Sequence, residues 1–445
     1  MTKRDRDEKP PEPERTGAAL SSGTFRSLRG FNYRTWACGA FVSNVGTWMQ
    51  RTAQDWLVLT QLTHNDATAV GAVMALQFAP QVLLLPLTGF AADHLDRRKL
   101  LVATHAAMGL LALGLGALTI LGLVRVWHVY VFALLHGCVS AFDAPARQSF
   151  VSELVDEADL SNAVGLNSTS FHAARMIGPA TAGILIAAVG SGWVFLINAA
   201  SFAAVLCSLR FLRVGELHRK ERPRRTRGSL VEGFVYVWRR PDLKVVLLMT
   251  FLIGTFGLNF PIFISTMTVS VFHEGAGKYG LLSSTMAIGS VAGALLAARR
   301  ANPRFAFLLS GAAIFGLGLT LAALMPSYGL FSVALVLIGI AAQTFTTTAN
   351  SSVQLSTEPA MRGRVLAILL AITLGGTPIG APIAGWVADT FGPRWALGVG
   401  AAAGFAAALI GIGYLAKYRH LRLRIDAGRL RFTFDDAGLE RVNAR

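Results

Sequence analysis

The chain has 445 residues, of which 53% are hydrophobic and 15% charged, and its formal net charge is +16. Ordinary soluble domains carry about 25% charged residues, so this composition excludes them and indicates a membrane protein. The basic residues lie in the terminal segments and alternate loops, which indicates membrane orientation and contact with anionic lipids, with no nucleic-acid partner.

Twelve apolar segments follow one another, each long enough for the roughly 20 residues that a membrane-spanning helix needs. They cover approximately 35–60, 68–92, 100–123, 127–147, 163–189, 193–212, 243–268, 279–299, 305–325, 329–350, 364–388 and 394–416. The predicted fold class is therefore all-α integral membrane, with twelve transmembrane helices in two six-helix bundles that form a pseudo-repeat.

The polar stretches set the predicted domain boundaries. A disordered cytoplasmic tail is expected over 1–34, because it is charged, rich in Pro and Glu, and lacks the apolar core of a signal peptide. The first bundle then covers 35–212, a basic cytoplasmic linker 213–242, the second bundle 243–416, and a basic cytoplasmic tail 417–445. The linker is either a solvated connection or, over Ser229–Arg240, an amphipathic helix on the inner leaflet.

Charge in the loops predicts the orientation. Twelve spans place both termini on one side, and the loops there carry most of the Lys and Arg residues. The opposite loops offer only Arg125, Lys278 and Arg394. Both termini are therefore expected in the cytoplasm, since basic loops remain on that side of a cytoplasmic (inner) membrane.

An internal sequence repeat indicates that the chain consists of two related halves. The segment GPATAG at 178–183, in the fifth span, resembles GAPIAG at 380–385, in the eleventh. Two repeated halves around a central cavity are a recurrent plan of membrane transporters, with the binding site between the halves near the midplane.

Charges inside spans are costly and usually functional. Three are found here: Arg51 and Asp55, four residues apart and able to pair, and Arg175 in the fifth span. They form either a structural ion network or a proton site, and we favour Asp55 as the proton carrier with Arg51 and Arg175 adjusting its proton affinity. His136, in the fourth span, either carries a proton or bonds a neighbouring helix.

The loop after the second span resembles the signature loop of major facilitator superfamily transporters. Gly89, Asp93, Arg97 and Arg98 match its pattern, whereas Asp96 stands where many members have glycine. Such a cluster of charges between two spans is expected to form a cytoplasmic latch between the bundles. Asp143 and Arg147, at the cytoplasmic end of the fourth span, are expected to form an inner gate or a helix-end pair.

Further stretches narrow the resemblance. Gly178, Pro179 and Gly183 resemble the helix-bending motif of antiporter branches, with Ala182 as a departure. Pro359, Gly363 and Arg364 are similar to the entry into the eleventh span of the enterobactin-exporter and macrolide-efflux branch. The resemblance implies that the first and fifth helices are neighbours, which allows Asp55 to meet Arg175. It also implies export of siderophores, macrolides or related molecules.

Nothing in the sequence favours an enzyme, because no Walker loop or metal-ligand cluster is found. The prediction is a monomeric secondary transporter, with no cofactor and no metal, that exports amphipathic siderophore-, macrolide- or drug-like molecules by proton antiport with alternating access. Its partners are the small-molecule substrate, protons and anionic inner-leaflet lipids. Two alternatives stay open: a lysophospholipid flippase of the same fold, and a non-transporting scaffold or sensor that works through its basic linker.

Overall fold

The computed structural model describes residues 24–85, 87–88, 91, 95–218, 230–298, 305–418, 422–426 and 429–433. Most of this part is helical. The helices are α1 (Phe31–Trp56), α2 (Ala67–Leu83), α3 (Arg97–Ile120), α4 (Val126–Leu154), α5 (Leu160–Val189), α6 (Ser191–Phe211), α7 (Leu230–Arg239), α8 (Pro241–Leu252), α9 (Phe260–Thr266), α10 (Ala276–Ala298), α11 (Phe305–Leu324), α12 (Tyr328–Ser356), α13 (Arg362–Gly375), α14 (Thr377–Phe391) and α15 (Pro393–Tyr418). Two short strands, β1 (Arg422–Asp426) and β2 (Arg429–Thr433), pair antiparallel after α15.

These helices form twelve traverses, as predicted. Within the described residues, ten segments are long and apolar enough to cross a membrane, and α2 is a shorter apolar helix. The remaining traverse is α1, which is more polar because it carries Arg51, Asp55 and several amides. The seventh traverse joins α8 to α9, and the eleventh joins α13 to α14. Since the traverses alternate, we call the end that carries the linker the terminal end, and the opposite one the distal end.

Local sequence signals explain where the helices begin and end. Asp66 caps α2 by accepting a hydrogen bond from the backbone N–H of Ala69 at 2.9 Å. At the distal end, Gly190 and Gly392 terminate α5 and α14 with φ angles of +88° and +101°, a conformation that favours glycine. The first helix begins at Phe31 and not at 35, so the expected tail is shorter by this part of α1.

The two halves repeat one irregularity. The first span ends in π-helical turns over Leu57–Leu62, and the seventh span ends in π-helical turns over Met267–Val271. Both lie at the distal end of the first helix of a half. Single π-turns are rare in α-helices, so their matched placement supports the pseudo-repeat that the sequence predicted.

The two halves meet along two seams, in which α2 packs on α14 and α5 packs on α10. Glycines allow the backbones to approach there. A Cβ atom at Gly71 would lie 2.5 Å from the carbonyl oxygen of Ala381, and one at Gly183 would lie 2.7 Å from that of Ala276. Small residues have this role where helices pack in lipid. Both contacts lie toward the distal end, which is therefore closed.

The linker contains a helix in its described part. One side of α7 packs on α13, where Glu232 and Arg364 form an ion pair at 3.1 Å. The opposite side exposes Val231, Phe234 and Trp238. The helical alternative for this segment is thus the one found, and contact of its apolar face with the inner leaflet stays a prediction.

Candidate functional site

A central cavity of about 220 Å³ lies between the two halves. Its walls come from α1, α2 and α5 of the first half and from α9, α10 and α14 of the second. The charged side chains in its lining are Arg51, Asp55 and Arg175, the intramembrane charges that the sequence singled out. Small-molecule sites typically have mostly apolar walls with a few convergent polar groups, and the lining of this cavity has that composition.

The two arginines lie against one aromatic side chain. The guanidinium carbon of Arg51 is 5.0 Å from the ring centroid of Trp48, and that of Arg175 is 5.4 Å from the same centroid. Arg51 also lies 5.7 Å from the ring of Phe78. Its Nε atom is buried and has no hydrogen-bond partner among the described residues. Aromatic faces thus provide part of the stabilisation that a protein acceptor would otherwise give these cations.

Asp55 accepts a hydrogen bond from the opposite half of the molecule. Its side chain is buried, and the hydroxyl of Tyr279 on α10 donates to its Oδ2 across 3.4 Å. Among the described residues, Asp55 forms no ion pair with Arg51 or Arg175, so the expected Arg51–Asp55 and Asp55–Arg175 contacts are absent. Arg51 and Arg175 lie over Trp48 instead.

Tyr279 was missed by the sequence analysis. It stands near the start of α10, beside Lys278, where its ring stacks on Trp56 with centroids 5.8 Å apart. A tyrosine at a span end normally indicates only the aromatic belt at the membrane surface. Its contact with Asp55 depends on how the two halves pack, so the sequence carried no signal for it.

His136 is hydrogen-bonded to a neighbouring helix. Its Nδ1 atom lies 3.3 Å from the amide nitrogen of Gln77 on α2 and 3.3 Å from the hydroxyl of Ser140. His136 lines a second cavity, of about 240 Å³, that shares Trp48 and Arg51 with the central one. The helix-bonding alternative therefore describes its contacts, and its role as a proton carrier stays a prediction.

The second cavity also contains the charges near the terminal end of α4. Asp143 accepts a hydrogen bond from Thr104 at 2.9 Å and lies 3.6 Å from Nε of Arg147. Arg147 also donates to Asn44 on α1 at 2.8 Å. This network joins α1, α3 and α4 within the first half. Whether Asp143 and Arg147 act as an inner gate or as a helix-end pair stays a prediction.

The Gly178-Pro179-Gly183 segment packs α5 against two neighbours. A Cβ atom at Gly178 would lie 2.5 Å from that of Trp48 on α1, and Gly183 faces α10 across the seam between the halves. The helix continues through Pro179 from Leu160 to Val189. The segment therefore fixes the position of Arg175 relative to Trp48.

Substitutions at two glycines of α5 test this packing. Gly178→Ala is expected to lower the free energy of unfolding by about 1–3 kcal/mol, because the added methyl group overpacks the α1 contact. The matched control is Gly165→Ala on the same helix, where a Cβ atom would meet no atom of the described part of the chain within 4 Å. Thermal unfolding of the two purified variants provides the measurement, and equal midpoints would contradict the close α1–α5 packing.

The described part of the signature loop contacts its own half. Arg97 forms an ion pair with Glu153 at the end of α4, and Nε of Arg98 donates to the carbonyl oxygen of Leu209 on α6 at 3.0 Å. Gly89 and Asp93 lie outside the described residues. The two arginines thus make no latch to the second half among the described residues, which agrees with contacts between the halves at the distal end.

Asp389 closes the distal end and was not singled out in the sequence. Its carboxylate accepts hydrogen bonds from the backbone N–H groups of Ala67 and Thr68, both at 2.8 Å, and from the Thr68 hydroxyl at 2.6 Å. An α14 side chain thereby caps the N-terminus of α2 in the other half. A signal was available, because Gly385 and Asp389 have the same G-x-x-x-D spacing as Gly89 and Asp93.

Removal of this cap is expected to favour opening of the distal end. A cap contributes about 1–2 kcal/mol, so Asp389→Ala should shift the equilibrium roughly fivefold to thirtyfold. The readout is labelling of Thr52→Cys, in the central cavity, by an impermeant maleimide from the distal side, after replacement of Cys38, Cys138 and Cys207. Glu274→Ala, in another distal loop, is the control, and unchanged labelling of the Asp389 variant would show that the cap does not hold the closed state.

The chain resembles known sequences along most of its length. A family model described as transmembrane secretion effector matches residues 18–423. The chain is 25% identical to a staphyloferrin A transporter of Staphylococcus aureus, over 79% of this chain and 88% of that protein. It is 25% identical to the multidrug efflux pump Tap of Mycolicibacterium fortuitum, again over 79% and 88%. It is 26% identical to the enterobactin exporter EntS of Shigella flexneri, over 82% and 87%.

Solved structures share the fold. A POT family transporter in complex with 5-aminolevulinic acid superposes with a TM-score of 0.69 at 15% identity, over 88% of this chain and 99% of that one. A bacterial homologue of the human lysosomal transporter Spinster, inward-facing and unoccupied, gives a TM-score of 0.66 at 14% identity, over 87% and 96%. At these identities the likeness concerns the arrangement of helices alone.

Proposed function

Because the chain belongs to the transmembrane secretion effector family of major facilitator transporters, we propose that it exports amphipathic small molecules in exchange for protons. The coarser statement follows from the family itself: the chain is a multi-pass inner-membrane efflux transporter of small molecules, not an enzyme. The coupling ion, the cargo chemistry and the membrane orientation are the parts that we propose.

The observation that carries the proposal is a buried carboxylate in a cavity between two halves. Asp55 lines the central cavity and bonds Tyr279 of the second half, so movement of the halves changes its surroundings. A carboxyl group holds its proton more tightly when it is buried than when it is hydrated. Opening the cavity to one side and then to the other would therefore change the proton affinity of Asp55 during each cycle.

The exchange cycle follows from this coupling. With the distal end closed, as found here, cargo enters from the terminal end and Asp55 releases its proton there. The halves then rock, the distal end opens, and cargo leaves while a proton binds. Such rocking around a fixed central site is the general plan of transporters built from two repeats.

The orientation completes the proposal. The basic loops of the terminal end place that end in the cytoplasm, so the closed distal end faces outward. The wall of the central cavity includes Trp48, Phe78, Phe260, Met74 and Met286, side chains that suit a bulky apolar body. The names of relatives, an enterobactin exporter and a multidrug efflux pump, support a siderophore- or drug-like cargo. We propose a working monomer, because one chain contains both halves of the site.

Everted membrane vesicles test the function. Vesicles containing the protein should accumulate some members of a panel of siderophores, macrolides and lipophilic cations when their interior is acidic. Collapse of the pH gradient with nigericin should abolish that accumulation, and vesicles without the protein are the control. Accumulation that persists without the gradient would contradict proton antiport, and absence of accumulation for the whole panel would contradict amphipathic export.

A further inference from the structure

The central cavity contains charged groups of both signs with unused hydrogen-bonding capacity. A guanidinium group has five N–H donors. In the described part of the chain, neither Arg51 nor Arg175 forms an ion pair, and the Nε of Arg51 is buried with no partner at all. Both lie over the ring of Trp48, and Arg51 also lies over that of Phe78, and neither ring offers a conventional acceptor. Two cations on one aromatic ring thus point to an anionic group as the missing partner.

Asp55, one helical turn after Arg51 on α1, provides the opposite charge in the lining of the same cavity. Its bond from Tyr279, at 3.4 Å, is longer than the roughly 2.5–3.0 Å of a good O–H···O hydrogen bond. The carboxylate is therefore only weakly satisfied by the protein. A proton, or a cationic group of a ligand, would satisfy it better.

We propose that the cargo is an amphipathic zwitterion whose anionic group binds between Arg51 and Arg175 and whose ammonium group binds Asp55. The inference rests on the proposed function, which it deepens by naming the cargo class. The apolar body of the cargo lies against Phe78, Phe260 and Met286, which line the same cavity.

Each charge of the cargo has a separate task. The ammonium group competes with the proton for Asp55, so cargo binding releases a proton, as exchange requires. An anion alone would make Asp55 hold its proton more tightly, because like charges disfavour ionisation. A cation alone would meet two unpaired guanidinium groups. The zwitterion is the charge class that satisfies all three residues and still couples to the proton.

Four probes with one fluorophore test the proposal on the purified protein. Nε-dansyl-lysine is a zwitterion, its methyl ester is a cation, its Nα-acetyl derivative is an anion, and the Nα-acetyl methyl ester is neutral. Energy transfer from tryptophan to the dansyl group measures binding, and a pH-sensitive dye in weak buffer measures released protons. The zwitterion should bind roughly tenfold to 100-fold more tightly than the neutral probe, since charge-assisted hydrogen bonds are strong. Protons should be released only by the two probes that carry the ammonium group.

Variants assign each charge to its partner. Arg175→Gln should remove the advantage of the zwitterion over the methyl ester, and Arg175→Lys should restore part of it. Asp55→Asn should abolish the tighter binding of the zwitterion relative to the Nα-acetyl derivative. It should also abolish proton release. Lys278→Gln, which removes a cation outside the cavity lining, should bind all four probes as the wild type does.

The comparison of the four probes on the wild type decides the proposal without any variant. Equal binding of the zwitterionic and neutral probes would overturn the zwitterion assignment and leave the amphipathic cavity of the proposed function in place. Binding of none of the four probes would contradict a cargo site in this cavity. A zwitterion preference without proton release would support the two-charge site and contradict proton exchange through Asp55.

Discussion

We expect Asp55→Asn to abolish proton-driven export while the protein still binds cargo. The amide has nearly the size of the carboxyl group and can still accept a hydrogen bond from Tyr279, but it cannot carry a proton at physiological pH. The central cavity keeps Arg51, Arg175 and its apolar wall. We therefore expect gradient-driven accumulation in everted vesicles to fall to the background of vesicles without the protein, with exchange of cargo across the membrane retained.

Two further variants make this test specific. Asp55→Glu keeps an ionisable carboxyl group and should retain part of the accumulation. Asp156→Asn neutralises an exposed carboxylate near the terminal end of the same half and should behave as the wild type. Gradient-driven accumulation by the Asp55→Asn protein would exclude Asp55 as the proton site. His136 would then be the next candidate for the proton carrier.

The second large effect is expected at Asp93. The signature loop predicts that this carboxylate latches the two halves at the terminal end, and the equally spaced Asp389 performs such a function at the distal end. Because alternating access requires that each end close in turn, Asp93→Asn should abolish transport and leave folded protein in the membrane. Expression level, thermal unfolding midpoint and vesicle transport measure the two parts of this prediction. Transport at the wild-type rate would show that no latch depends on Asp93.

The charged residues inside the spans show how much of the candidate site could be predicted from the sequence. Charges inside spans are so costly that Arg51, Asp55 and Arg175 were identifiable as one functional set, and the structure places all three in the lining of one cavity. Their pairing was not predictable from spacing. Arg51 is four residues from Asp55, but it lies over Trp48, three residues before it, because the aromatic face stabilises the cation.

Residues that act across the two halves mark the limit of the sequence analysis. Tyr279 and Asp389 are ordinary side chains at the ends of their helices, and each gains its partner only when the first half packs on the second. The glycines of the repeated segments 178–183 and 380–385 did indicate close helix packing. Gly183 and Gly385 both lie at contacts between the halves. The length and apolarity of the spans predicted the fold class, because the membrane restricts the chain to helices.

The most direct test of the account is proton release from the purified protein. Candidate cargo molecules are added one by one to the wild type and to Asp55→Asn in weakly buffered detergent, while a pH-sensitive dye records released protons. We predict that a saturable release accompanies cargo binding in the wild type and is absent in Asp55→Asn. Saturable cargo binding by the wild type without released protons would contradict proton antiport and would indicate a uniporter or a carrier coupled to another ion.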